Sequence, residues 1–364
     1  MRSKSDLYFA VIILVVPLLI SIGISAFLLK GGFPAFGANP QNQVKVGDRN
    51  WLNVKLTLVN ELKNDRTHVV YPSRLRVDGS GNLYILDEGI PGVLKISPEG
   101  KYLFTYGNGK GKGPGEFEKP HDMDICPSGL LLVLDASSGT ISEFSSNGKF
   151  LRTVRPNGVA IHVAAIDDTS FVVQRMSIKD IFAIYKDNGG EIASFGDVSL
   201  FESEKLPIPI IDIYLLTSGK TIFAIGGNVS RLLSFDLNGN EQYSVDLIDK
   251  VPMPEALMGN KKNIGGREVT EFSVVGSGPV VLDACIRRNK IYLLSYPATH
   301  KYNVEVIDRY SSSNGSYEAS LKFSKPGGTL GVASFAINDN YLYTLDLLKD
   351  GNYVIRKYLI VGQI

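Results

Sequence analysis

PSRLRVDGSGNLYILDEGIPGVLKISPEG, residues 72–100, is matched without a gap 48 residues later by PHDMDICPSGLLLVLDASSGTISEFSSNG, residues 120–148. Pro72, Gly81, Asp87 and Gly100 fall onto Pro120, Gly129, Asp135 and Gly148, with apolar residues at the same places between them. An internal repeat of this length defines an architecture before any single residue points to a chemistry. Within it the pattern predicts four short strands: one holding Leu75 and Val77, then 83–86, 93–96 and 102–106. Each is rich in β-branched, Leu and aromatic residues and is bounded by Gly, Asp, Asn, Ser or Pro, which turn the chain at low steric cost. One four-stranded meander cannot bury both faces, but copies packed around an axis can, as in a propeller.

The units continue to the end of the chain. A third reads AIHVAAIDDTSFVVQ and IFAIYKDNGGEIASFG, and a fourth IDIYLLTSGKTIFAIGG and RLLSFDLNGNEQYSVDL. A fifth reads VVLDACIRRNKIYLLSY and NVEVIDRYSSSNGSYEASLKF. The sixth, VASFAINDNYLYTLDLL and YVIRKYLIVGQI, stops one strand short. Residues 54–62 form a β-rich segment with no following partners, so they are expected to pair with the last unit and remove an exposed sheet edge. The expected fold is therefore all-β: a six-bladed β-propeller over residues 51–364, closed by an N-terminal strand. The 37 Gly, 17 Pro, 17 Tyr and 17 Phe suit many short strands and turns.

Residues 7–29 (LYFAVIILVVPLLISIGISAFLL) carry no charge and are flanked by Arg2, Lys4 and Lys30. As a helix they would be about 34 Å long, enough for a hydrocarbon core of about 30 Å. The expectation is one N-terminal transmembrane helix within residues 1–30, followed by a polar linker over 31–50. A cleaved secretion signal is the competing reading, though its apolar region usually runs only about 7–15 residues. The slight excess of basic residues before the span places the N-terminus in the cytoplasm and the propeller outside the cell membrane. Once Arg2, Lys4, Lys30 and Asp6 are set aside, 35 basic and 36 acidic residues remain, a balance that argues against nucleic acid as a partner. Cys126 and Cys285 fall on units two and five, opposite each other in a ring of six, and are expected as buried, unpaired thiols.

GKGPGEFEKPHDMDICPSGLLLVLDASSGTISEFSSNGKFLRTV, residues 111–154, resembles the NHL-type repeat. That repeat has a G-x-G-x-G-E-F loop leading into Pro, a strand, a Gly turn, a strand ending in Asp and a strand before x-G-K. Unit three departs from it with Gln174 at the closing Asp, and unit five with residues 287–290 at its turn. The resemblance implies a six-bladed propeller of a kind used as soluble or membrane-tethered binding scaffolds. A minority of such proteins are lyases or lactone hydrolases.

Meander parity places the turns after the first and third strands on one plain face. The long connections 107–119, 196–209, 246–279 and 325–331 fall on the other, where binding residues usually sit. The longest, 246–279, carries Lys261, Lys262 and Arg267 and reads as a lid, a docking arm or a disordered insertion. His121 and His162 are read as one repeat position on neighbouring blades, four residues before Ile125 and Ile166, with Ser73 there in unit one. They are expected at the channel mouth beside Arg74. In metal-dependent propeller lyases, the resemblance implies, histidines from several innermost strands surround one ion, which needs at least three ligands. Here units four to six hold Ile211, Val281 and Val332 at the position assigned; a carboxylate such as Asp122 or Asp212 would complete a site, but strand alternation turns it to the opposite side from His121. No cofactor is expected, and a divalent ion in the channel has no support in the sequence. His68 and His300 are placed in loops. The GNGKGKGPG stretch, 107–115, is read as a flexible crossover with no phosphate role, because no helix follows it. Asp78, Asp87 and Asp135 are read as turn caps. The functional expectation is a membrane-tethered extracytoplasmic binding module for a protein partner or an extracellular polymer, with His121, His162, Ser73, Arg74, Lys261, Lys262 and Arg267 as contacts. The alternative is a metal-dependent lyase or lactone hydrolase acting in the channel.

Overall fold

A computed structural model describes residues 44–63, 69–201, 211–253, 255–264, 267–275 and 278–364. The apolar stretch 7–29 and the linker up to residue 43 lie outside the described residues, as do His68 and residues 202–210 of the third crossover. Among the described residues no helix is long and apolar enough to cross a membrane.

Six antiparallel four-stranded sheets form the blades. Their innermost strands are Pro72–Val77, Pro120–Ile125, Ala160–Ala165, Ile213–Ser218, Val281–Arg287 and Thr329–Ile337. Blades one to five are built from consecutive strands, whereas the fourth strand of blade six is Lys55–Lys63. It pairs antiparallel with Tyr353–Val361, from Lys55 opposite Val361 to Lys63 opposite Val354. Arg356 reinforces that edge, with Nε 2.6 Å from Glu61 Oε1 and Nη1 bonded to Asp346. The cores lie between blades and are separately packed. Tyr84, Tyr106, Phe117 and Phe144 fill the space between blades one and two, and Phe182, Phe195 and Phe235 that between three and four.

The repeated Asp that ends the second strand has a specific structural task. Asp87 accepts the amides of Val70, Tyr71, Gly89 and Ile90 at 2.7–3.0 Å. Asp135 accepts those of Glu118, Lys119, Ser137 and Ser138 at 2.6–3.1 Å. Each buried carboxylate thereby ties the incoming crossover to the next turn, which is capping as the sequence pattern predicts. Asp78 likewise caps its turn through the amides of Ser80 and Asn82 at 2.9 Å. In unit three the register puts Arg175, not Gln174, at this place, because Ala160 faces Arg175 where Pro120 faces Asp135.

Two loop expectations are corrected, those for residues 107–115 and for His300. The 107–115 crossover is an ordered loop rather than a flexible one: Asn108 N bonds Gly115 O at 2.8 Å and Phe117 N bonds Gly109 O at 3.0 Å. Phe117 is fully buried beneath it, so close to Gly107 (φ 112°) that a Cβ there would meet its ring at 2.8 Å. His300 is helical, in the last turn of Tyr296–Tyr302, where its Nδ1 lies 3.0 Å from Tyr296 O. The insertion between blades four and five is an antiparallel ribbon, Glu255–Ile264 with Arg267–Val275. Lys261 faces Thr270, Lys262 faces Val269 and Arg267 faces Ile264.

Residues 45–51 are docked on the propeller. Lys45 and Lys250 exchange backbone hydrogen bonds at 2.9 and 2.8 Å. The fully buried Arg49 side chain sits between Asp249 and Asp308, with Nη2 2.8 Å from Asp308 Oδ2. Cys126 and Cys285 are buried free thiols.

Replacing Asp135 by Ala should orphan four amides around a buried site and cost about 3 kcal/mol. In thermal unfolding the midpoint should fall by several degrees, with Asp135→Asn intermediate. An unchanged midpoint would remove the carboxylate from the account of blade packing.

Candidate functional site at the propeller axis

The innermost strands share an irregularity that decides what reaches the axis. In blades one, two, three and five a register shift falls one residue into the strand, leaving Ser73, His121, Ile161 and Leu282 as the bulged residues, and blade six has the same shift at Ala333. A bulge breaks the two-residue alternation and re-aims the side chains that follow. The next residue in each blade, or its counterpart in unbulged blade four, is Arg74, Asp122, His162, Tyr214, Asp283 and Ser334. His162 is thus the counterpart of Asp122, and His121 that of Ile161, so the two histidines do not share a repeat position. Asp122 is also not turned away: it stands beside His162. Val281 and Val332 lie one residue before the bulge, and Ile211 precedes its strand.

These six residues are linked across every blade boundary. Arg74 Nε lies 3.1 Å from Asp122 Oδ1. Asp122 Oδ2 accepts from Val163 N at 3.1 Å and meets His162 Nδ1 at 3.0 Å. His162 Nε2 reaches Asp212 Oδ1, just before the fourth innermost strand, at 3.2 Å. Tyr214 donates its hydroxyl to Leu282 O at 2.6 Å. Asp283 accepts from Phe335 N at 3.0 Å and from the Ser334 hydroxyl. The ring closes where Leu75 N donates to Ser334 Oγ at 2.9 Å. A neutral imidazole has only one N–H, so engaging both carboxylates through hydrogen bonds makes His162 an imidazolium. Arg74 and His162 then balance Asp122 and Asp212. The Arg74 guanidinium also lies 5.7 Å from the Tyr214 ring centroid, reaching toward the opposite blade.

Proton affinities follow from this wiring. Burial disfavours charge on His162, but its bonds to Asp122 and Asp212 outweigh burial and lift its pKa to about 8. Burial and then the neighbouring His162 charge push His121 down to about 4. Burial opposes ionisation of Asp122 as well, yet Arg74 and His162 hold its pKa below the carboxylate range. Asp124 is held up by burial. The half-buried His121 ring lies 5.7 Å from that of His162, centre to centre, tilted by 44°. Ser73 Oγ is buried and unpaired among the described residues. Lys261, Lys262 and Arg267 lie on the ribbon strands. The sequence reading set Asp212 aside and omitted Tyr214, Asp283 and Ser334 from the site. An aligned polar column was the available signal, but it emerges only once the bulges are counted.

Among the described residues no group of three or more His, Cys, Asp or Glu side chains is placed to hold a metal ion. His162 has both ring nitrogens engaged, by Asp122 and Asp212.

No known family's sequence profile matches the chain. A stretch of 110 residues is 27% identical to peptidyl-glycine alpha-amidating monooxygenase A of Xenopus laevis, covering 28% of this chain and 12% of that protein. The match therefore spans a small part of the curated relative. A crystal structure of a member of the DUF4221 family from Bacteroides vulgatus superposes with a TM-score of 0.52 at 12% identity, over 85% of this chain and 99% of that one. Virginiamycin B lyase from Staphylococcus aureus superposes at 0.47, with 12% identity over 85% of this chain and 100% of that one. The first likeness is one of fold alone, and the second carries no chemistry to this chain.

Because His162 binds its proton more tightly when folded than the ordinary pKa of about 6.5, its contribution to stability is complete below pH 6.5 and is lost as pH rises through 8. The full effect is on the order of 2 kcal/mol. His121 acts oppositely: its neutral form is favoured, so stability falls as pH drops from 6.5 through 4. Arg74, Asp122, Asp212 and Tyr214 face the pair and keep their charge states over pH 6–9. Unfolding midpoints across that range should decline more steeply for the native chain than for His162→Gln, and parallel curves would refute the imidazolium.

Proposed function

We propose that this chain is a non-enzymatic, NHL-like binding module, held outside a membrane by residues 7–29 and presenting its long-loop face to a protein partner. The observation that carries the reading is the ribbon of residues 255–275. It pairs only within itself among the named strands, belongs to no blade, and is inserted at one crossover on the face where the long connections gather. A rigid wheel supports such an element without paying for it in blade packing, and binding segments commonly sit on scaffolds of this kind. The near balance of charge outside the anchor fits a partner recognised by shape and hydrogen bonds. An extracellular polymer would use the same face.

A metal-dependent lyase or lactone hydrolase finds less support in this geometry. Its acid–base group would be His162, and that residue is tied between two carboxylates that link blades two, three and four.

Deleting residues 255–275 from the full chain should abolish co-purification of the partner from native membranes and leave the thermal midpoint within about 2 °C, because no blade loses a strand. Undiminished recovery of the same partner by the deletion variant would defeat the reading.

A further inference from the structure

The ring of interblade links leaves three groups at its mouth incompletely used. Arg74 is held through Nε alone, and among the described residues neither Nη1 nor Nη2 has a partner. Its side chain is 14% exposed, so solvent reaches that edge. Asp212 uses Oδ1 for His162, while Oδ2 has no hydrogen-bond partner among the described residues, and the side chain is 32% exposed. His121 has no hydrogen bond to either ring nitrogen among the described residues and is half-buried beside His162. The three lie close enough to influence one another's charge. They are joined through a single chain of contacts, Arg74 to Asp122 to His162 to Asp212.

The free edge of a guanidinium presents two parallel N–H donors spaced for the two oxygens of a carboxylate. A free carboxylate oxygen opposite it accepts from an ammonium. The ring charges already cancel in pairs, Arg74 and His162 against Asp122 and Asp212, so a ligand of high net charge would meet uncompensated charge in a half-buried site. A doubly charged phosphate would add two negative charges where Arg74, Arg76 and His162 already match Asp122, Asp283 and Asp212. A zwitterion adds no net charge and meets both free edges at once.

We propose that the mouth of the axial channel is a binding site for a small α-amino carboxylate, its carboxylate held by Arg74 Nη1 and Nη2 and its ammonium by Asp212 Oδ2, with His121 covering it. This deepens the binding reading for the long-loop face but does not depend on the ribbon. The ligand is a free amino acid, since at the C-terminus of a peptide the α-nitrogen is a neutral amide and cannot serve Asp212.

The test is isothermal titration of the full chain in detergent with glycine, alanine, glycylglycine, acetate, glycolate and inorganic phosphate. Glycine and alanine should bind, acetate and glycolate at least about tenfold more weakly for want of the ammonium, and phosphate not at all. Glycylglycine, whose nitrogen beside the carboxylate is a neutral amide, should likewise bind about tenfold more weakly than glycine, and equal binding would overturn the ammonium contact. Arg74→Lys keeps the charge and removes the fork, and should weaken glycine about tenfold or more. Asp212→Asn should erase the preference for glycine over glycolate, and it serves if Arg74→Lys fails to fold. The variant lacking residues 255–275 should bind glycine unchanged, which separates this site from partner docking. No heat with any amino carboxylate at millimolar concentration, phosphate binding above glycine, or glycine affinity untouched in both Arg74→Lys and Asp212→Asn would each overturn the proposal.

Discussion

Six sheets around an axis leave a central column where polar side chains are removed from water, and the structure depends on how that column is satisfied. An unpaired charge there would cost several kcal/mol, whereas a paired one joins two sheets. In this protein each boundary is crossed by an axial link: an ion pair between blades one and two, an imidazolium bridging two, three and four, a tyrosine hydroxyl from four to five, and carboxylate or hydroxyl contacts from five through six to one. A break at one place exposes the neighbouring partner as a buried, unmatched group. The column is therefore cooperative in a way that the interblade apolar cores, each packed between its own pair of sheets, are not.

The same economy of contacts extends outward. The Asp ending the second strand of blades one and two collects four amides, so that one buried carboxylate fixes both the entry into a blade and its next turn. At the rim Arg49 performs an analogous task between Asp249 and Asp308, anchoring the segment that leads from the N-terminal region onto blades four and five. A residue with two carboxylate partners in a dry site orients the backbone on either side of it. The approach of residues 45–51 to the wheel is for that reason a defined path and not a loose tether.

These features bear on function through rigidity. Side chains committed to the column are poor candidates for proton transfer, since moving a proton from His162 would release a link between blades. The groups that remain available, the outer edge of Arg74, the second oxygen of Asp212 and the imidazole of His121, are those that the column positions without consuming. Lys261, Lys262 and Arg267 lie on the ribbon between blades four and five.

The repeat of residues 72–100 at 120–148 was sufficient to count the blades and to assign most strands, because period-two patterning and turn residues are local properties that the pleat imposes on each unit. The capping role of Asp87 and Asp135 was legible for the same reason. The identity of the axial residues was not. His121 was matched to His162 in place of Ile161 because the alignment was anchored on Ile166, one residue past the end of its strand, and Asp122 was turned the wrong way because the bulge breaks the alternation. Asp212, Tyr214, Asp283 and Ser334 acquire meaning only from neighbours 40 to 70 positions away, and Arg49 from partners some 200 positions away or more. Sequence alone determined the wheel, since burial of alternating faces is set by nearest neighbours along the strand. Tertiary structure decided the column, since which charges meet across the axis depends on register and closure that no single segment encodes.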